Sequence, residues 1–337
     1  MNSADLYPCE VEASWLVPLG KQARIRIAWI YVTLFCSLFY LIPGLGLGVV
    51  LLALNGHLQA AGTLVVTLVG LSVIPMREWP EARRAGELLY ELFDVRTNLK
   101  ASMVDEWHEE GDRYILGMHP HGIIPLQTLL WCAFCHQYLR PGPNRSGPTM
   151  YGFGGMATVL TRLPVLRTIL GWLSGRSADY KTLKKGILSG KNLYMLPGGL
   201  AEIFTAQPGH DVAVWRPRRG LCRLALETGA RLVPLYVFGG NDFFDQLATS
   251  DSLIARFSRK YKMSLTLYWG YLGLPIPYQP PNGVVIAFGN PLPSRRVDHP
   301  TPADIDTLHA AYEAELQRVF DLYKKPAGRP NARLRVI

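Results

Sequence analysis

Fifty consecutive residues, Ile27 to Met76, contain no aspartate, glutamate, lysine or arginine. A charge at the centre of an inserting helix costs about 2.5 kcal/mol or more, whereas each central aliphatic residue contributes roughly −0.3 to −0.6 kcal/mol. The missing charge therefore excludes an ordinary water-facing domain for this stretch and points to a bilayer. Cysteine is also scarce. Cys9, Cys36, Cys132, Cys135 and Cys222 are odd in number and scattered, with Cys36 in the apolar stretch, so no disulfide framework is expected. Cys132 and Cys135 form a C-x-x-C inside a helical pattern with no second ligand pair, which argues against zinc or redox use. The chain contains no G-x-S-x-G elbow, no H-E-x-x-H and no G-x-x-x-x-G-K-[ST] loop, which removes the common serine-hydrolase, zincin and P-loop readings. Internal repeats are absent as well.

The uncharged stretch divides into Ile27–Ile42 and Leu58–Ile74, with Pro43-Gly-Leu-Gly-Leu-Gly48 and Val49–Leu54 between them, and Asn55-Gly56-His57 is its clear polar break. Two helices joined near that break make a hairpin in the membrane. Lys21, Arg24 and Arg26 precede it and Arg77, Arg83 and Arg84 follow it, so the positive-inside tendency puts both ends on the cytosolic side. No small-residue cleavage site follows Ile42, as a signal peptide would require. The expected organisation is a cytosolic segment, 1–26, an embedded hairpin, 27–76, and a cytosolic-facing domain, 77–337. Trp79 in the connector suits headgroup depth.

In a chain of 337 residues the remainder is long enough for one large α/β domain. Strands are expected at Tyr114–Met118, Leu193–Leu196, Leu232–Phe238 and Val284–Phe288, with helical patterns at Ile123–Tyr138 and Arg218–Thr228, giving a mixed sheet flanked by helices. Ile305, Leu308, Tyr312, Leu316, Val319, Phe320 and Tyr323 recur at helical spacing, which predicts a terminal helix packed on the domain or lying on a membrane. The formal charge of +9 attracts anions, whether nucleic acid, acidic lipid or a phosphorylated co-substrate. The uncharged fifty residues make nucleic acid the weakest of these.

His119-Pro120-His121-Gly122 places two imidazoles where the Tyr114–Met118 run ends. Imidazole is the side chain best suited to moving a proton near neutral pH, and strand-to-helix corners are where α/β folds keep their chemistry. Pro120 pushes His119 toward an extended backbone, and Gly122 leaves room beside His121. A second element, Leu196-Pro197-Gly198-Gly199-Leu200-Ala201-Glu202, ends an apolar run with two glycines and an acid. Glu202 there either orients a histidine or caps an exposed helix start. The third, Trp215-Arg216-Pro217-Arg218-Arg219-Gly220, gathers three arginines before a helix, as a phosphate site or as a solvated face. Gly152-Phe153-Gly154-Gly155 lacks the acid of a ribose site and reads as flexible backbone or a packing feature.

Taken in order, His119–Gly122, Pro197–Glu202, Arg218–Asp242 and Gly289-Asn-Pro-Leu292 resemble the type 2 diacylglycerol acyltransferase family, which includes monoacylglycerol and wax-alcohol acyltransferases. The resemblance runs from about Trp107 to Lys325 and extends to the hairpin. It implies an integral endoplasmic-reticulum protein, also at lipid droplets, that transfers a fatty acyl group from acyl-CoA to a glyceride hydroxyl without metal or resident cofactor. Membrane lipid is then a partner, and a homo-oligomer is admissible. Residue by residue it implies catalytic roles for His119, His121 and Glu202. Gly198 and Gly199 fall on the family's motif glycines, and with Pro120, Gly122, Gly220 and Asn241 they are expected substrate-binding positions, joined on charge alone by Arg216, Arg218 and Arg219. The family's Tyr-Phe-Pro element is missing around 89–95, Leu221 stands where Phe is usual, and Gly240 where Glu is common. These departures leave the acceptor open among diacylglycerol, monoacylglycerol and a long-chain alcohol. The expected mechanism makes His121 the general base, with Glu202 or another acid orienting its ring and His119 assisting. Backbone N–H groups after Gly122 or at Gly198-Gly199 would receive the oxyanion, and the arginines the CoA phosphates. A catalytically silent lipid-binding membrane protein is the rival from another class.

Overall fold

The computed structural model describes residues 4–99, 113–138, 152–293 and 295–337, with side chains left out at 135–138. Cys135 and Trp107 lie outside the described side chains and residues.

The strands in chain order are β1 (Tyr7–Pro8), β2 (Val95–Thr97), β3 (Tyr114–His119), β4 (Gly152–Met156), β5 (Gly175–Ser177), β6 (Asn192–Met195), β7 (Val212–Ala213), β8 (Arg231–Phe238), β9 (Asp245–Gln246), β10 (Tyr268–Trp269), β11 (Val284–Phe288) and β12 (Arg335–Val336). Eight of them form one mixed sheet in the order β1-β2-β11-β8-β3-β6-β4-β5. β3 is central and buried on both faces, as a near-continuous apolar run requires. It runs parallel to β6 and β8, with His119 opposite Tyr236. β8 is antiparallel to β11.

Two hydrophobic layers cover the sheet. One face carries Leu116, Met118, Val233 and Val237 against Leu88, Leu89, Leu130, Trp131 and Phe134. The other carries Ile115, Leu232 and Tyr236 against the helix Pro302–Tyr323. All seven apolar positions expected on that terminal helix are buried, so it packs on the domain. Thr301 and Asp304 start it with a capping box. Each of the four expected strands is present within a residue of its predicted bounds. The helix after the histidines begins at Gln127 and not at Ile123. Pro125 and the bond from Leu126 N–H to Ile124 O hold a turn there first.

Gly152-Phe153-Gly154-Gly155 is strand β4 and not flexible backbone. A Cβ at Gly154 would fall 2.7 Å from the Tyr194 ring, so the glycines admit the neighbouring strand's side chains.

The uncharged stretch forms a hairpin, with one difference from expectation. Lys21–Leu54 is a single 34-residue helix, and Pro43 and the glycines lie inside it. Neighbouring aliphatic residues carry the helix through Pro43, and the Asn55-Gly56-His57 break alone turns the chain into Leu58–Val73. The first helix has two halves. Ala28, Val32, Phe35 and Cys36 are buried against the domain, and Arg24 pairs with Glu91 at 2.6 Å. Beyond Tyr40 no residue of this helix is buried. Lys21–Leu54 is long and apolar enough to cross a membrane by length and composition.

Candidate active site

The carboxyl end of β3 delivers His119, and the turn that follows delivers His121. The His119-Pro120 peptide is cis. Gly122 takes φ +66°, and a Cβ there would lie 2.6 Å from Gly240 O, so only glycine lets this turn meet the turn after β8.

Glu202 is the hub. It sits in the helix Gly199–Thr205 with its carboxylate wholly buried. Oε1 accepts from His119 Nδ1 at 2.5 Å and from Val214 N–H at 2.8 Å, and Oε2 accepts from His121 N–H at 2.6 Å. Three donors on one buried carboxylate are the usual condition for keeping it there. The expected alternative, an exposed glutamate at a helix start, does not hold. Nor does Glu202 touch the His121 ring. It fixes His119 by its ring and His121 by its main chain.

Gly198 explains itself from the same geometry, because a Cβ would fall 2.0 Å from the Glu202 carboxyl carbon. Gly199 has φ +53° with open space beside it, so it is glycine for its backbone. The Gly199 N–H is committed to Leu196 O at 3.2 Å, and the His121 N–H to Glu202. Of the backbone donors considered for an oxyanion, the Gly199 N–H is therefore occupied.

His121 is half-buried, and its Nδ1 lies 2.9 Å from Gly122 O. A carbonyl only accepts, so Nδ1 carries the proton and Nε2 keeps its lone pair. Burial pushes the His121 pKa below the ordinary imidazole value of 6.5, with the Gly122 carbonyl and Glu202 opposing that shift. Gln127 Nε2 donates to Pro120 O at 2.7 Å and His121 O at 2.6 Å, tying the motif to the next helix. Sequence reasoning missed Gln127.

His119 is fully buried between Trp215 and Tyr312, each about 6 Å away ring to ring (6.2 and 6.0 Å). Its Nε2 has no partner among the described residues. Tyr312 donates to Gly117 O at 3.0 Å and stacks on Trp215 at 3.8 Å, and His309 stacks on Trp215 at 4.8 Å. This wall comes from the terminal helix, far away in sequence.

The arginines separate. Arg216 pairs with Glu313 at 3.1 Å and Arg219 with Asp306 at 2.8 Å, both on the outer surface. Arg218 alone turns inward, donating to Gly198 O at 2.7 Å, with its Nε unpartnered among the described residues. Gly220 opens the helix Gly220–Thr228 with nothing within 4 Å of its Cβ position. Asn241 is buried behind Gly240, donating to His210 O at 2.8 Å while its Oδ1 has no partner among the described residues. A Cβ at Gly240 would lie 3.6 Å from the Pro120 ring. A surface depression of about 570 Å3 lies further along the same sheet edge, past β11, lined by Asp94, Arg96, Gln279 and Asn282 and holding no histidine.

A buried glutamate gripping a two-histidine turn at the carboxyl end of a mixed sheet is the arrangement of an acid–base site. Residues 76–336 match the family model described as diacylglycerol acyltransferase, and the chain belongs to that family. It is similar to the human diacylglycerol O-acyltransferase 2, 32% identical over 241 residues, covering 64% of this chain and 58% of the relative. It is also similar to the human diacylglycerol O-acyltransferase 2-like protein 6, 29% identical over 240 residues, covering 64% and 68%. The match thus spans under two thirds of the first relative's length. A solved 1-acyl-sn-glycerophosphate acyltransferase from Thermotoga maritima aligns over 88% of this chain and 97% of its own with a TM-score of 0.42 and 13% identity, too remote to carry residue roles.

Proposed function

We propose that the chain is an acyl-CoA-dependent O-acyltransferase of the endoplasmic-reticulum membrane and lipid-droplet surface that esterifies diacylglycerol to triacylglycerol. The observation that carries this reading is the half-buried His121 ring, whose Nδ1–H is anchored on Gly122 O while its Nε2 lone pair stays uncommitted among the described residues. In this reading Nε2 takes the proton of the acceptor hydroxyl as that oxygen attacks the thioester carbonyl. The C–S bond then breaks, and the thiol leaves with a proton from the imidazolium. Lowering the His121 pKa keeps the ring neutral, and hence basic, at cytosolic pH. Glu202 and Gln127 hold the motif in place. Arg218 is the one arginine of its cluster aimed inward, and it serves the thioester oxyanion or a CoA phosphate. Arg216 and Arg219 reach phosphates only by leaving exposed carboxylates, which costs little.

A second reading is favoured by one observation. His119 Nδ1 is held by Glu202 while its Nε2 has no partner among the described residues, the form of an oriented base. Its complete burial behind Trp215 and Tyr312 weighs for His121, which a substrate can reach without displacing the terminal helix.

Expression in cells lacking neutral lipid tests the reaction. Triacylglycerol should appear with the wild-type chain and disappear with His121→Ala. A wax ester as the sole product would assign a fatty alcohol as acceptor, and diacylglycerol would assign monoacylglycerol. No ester at all, with lipid still bound, would favour the silent lipid-binding protein. His119→Asn, which keeps an N–H for Glu202, should retain activity if His121 is the base and abolish it if His119 is.

A further inference from the structure

The segment between β8 and β11 carries an exposed apolar surface that the fold does not use. Its helix, Leu253–Tyr261, is capped by Ser252 and buries Ala255 and Ser258 against the body. The opposite stripe, Leu253, Phe257 and Tyr261 at four-residue spacing, is 77%, 50% and 52% exposed. Phe257 and Tyr261 pack on each other at 4.3 Å, and the Lys260 ammonium lies 5.5 Å over the Tyr261 ring. Arg256, Arg259, Lys260 and Lys262 flank the stripe against one acid, Asp251, a local charge of +3 (four minus one). Nearby, Leu272 stands at the tip of a turn, 91% exposed, with Leu247, Leu267 and Leu274 exposed beside it.

The segment that carries this surface is tied to the hairpin's base. Ser258 Oγ accepts from Leu265 N–H, Leu247 N–H donates to Leu267 O, Tyr268 Oη donates to Cys36 O at 2.6 Å, and Trp29 meets Tyr271 edge-on at 6.0 Å. An apolar stripe rimmed by cations fits acyl chains below and anionic headgroups around. The geometry points to a second membrane contact: we propose that Leu253, Phe257, Tyr261 and Leu272 dip into the headgroup boundary of an anionic bilayer beside the hairpin. The site edge is thereby held at the lipid from which the acceptor arrives. The proposal rests on the membrane reading of the hairpin.

The test uses the full chain reconstituted in phosphatidylcholine vesicles with and without phosphatidylserine, carrying one nitroxide at Leu51→Cys, Phe257→Cys, Leu272→Cys or Lys181→Cys. Collision with oxygen and with a water-soluble nickel chelate reports depth. Positions 257 and 272 are expected to gain oxygen contact and lose nickel contact relative to position 181, more with phosphatidylserine. Replacing Arg256, Arg259 and Lys260 by Gln should remove the dependence on phosphatidylserine. If 51 reports lipid while 257 and 272 match 181, the second contact is refuted and the hairpin stands. If 51 also reports water, the membrane reading fails. Dipolar broadening between labels at 257 would place a second copy of the chain there and overturn the proposal.

Discussion

Glu202 is the residue on which most of the site's geometry converges. Removing a carboxylate that satisfies three buried donors, one of them a ring nitrogen, strands those donors, and Glu202→Ala is expected to lower stability by about 3–5 kcal/mol. A thermal melt of the purified variant checks it, and an unchanged midpoint would mean the carboxylate is not held as described. His121→Ala removes the proposed base and no core contact. General-base catalysis typically contributes about 10²- to 10⁴-fold, so turnover should fall at least roughly a hundredfold while the melting curve stays put. The pH profile follows from the lowered His121 pKa, because the base form persists below 6.5 and the acid limb of kcat/KM should lie below that value. The same shift makes a contribution to stability that is full above 6.5 and is lost as pH falls through the lower folded value, since the unfolded ring binds its proton first. At this scale the sequence disclosed which residue types do chemistry, because two histidines bracketing a proline, and a glutamate after paired glycines, are scarce patterns. Which histidine the glutamate grips was not legible, since that depends on how β3 and the helix Gly199–Thr205 are set side by side.

Among elements, the terminal helix matters more than its position in the sequence suggests. Its apolar spacing announced a packed helix, yet nothing in that spacing revealed that Tyr312 reaches Gly117 and walls His119. A Cβ at Gly117 would fall 2.4 Å from Tyr312 Oη, so Gly117→Ala should destabilise by about 1–3 kcal/mol through overpacking. Adding Tyr312→Phe should recover part of the loss, measured as a double-mutant cycle by denaturant unfolding. Additive losses would show that the two groups do not meet. The arginine cluster shows the converse limit. Arg216, Arg218 and Arg219 read either as a phosphate site or as a solvated face, and what sorts them is the terminal helix, whose Glu313 and Asp306 hold Arg216 and Arg219 outside while Arg218 faces inward. The polar Asn55-Gly56-His57 makes the turn its sequence suggested, whereas the reach of the first helix, unbroken through Pro43 and the glycines to Leu54, was not legible.

At the scale of the molecule, the domain and the hairpin share one helix. One face of its first half joins the core while Ile30 and Leu34 stay exposed, and the stretch after Tyr40, with Leu58–Val73, stands clear. Those free segments measure about 21 and 24 Å at 1.5 Å per residue, short of a hydrocarbon core of about 30 Å, which favours a hairpin dipping in from one leaflet. Protease added to sealed vesicles from the luminal side should then leave the Asn55–His57 turn intact. Cleavage there would mean a full crossing. The absence of charge made the hairpin legible from sequence alone, and alternating strand and helix patterns made the mixed sheet legible. The depth of the hairpin depends on how much of its first helix the domain claims, which only the packing discloses.

Transfer of the proton to His121 is most directly measured in a single turnover of acyl-CoA with diacylglycerol in vesicles, comparing folded wild-type and His121→Ala chains across pH. Triacylglycerol formed rapidly by the wild type, with an acid limb below 6.5, and slowed at least about a hundredfold without that limb in the variant, is the expected result. Equal rates from the two chains would contradict the assignment of the base.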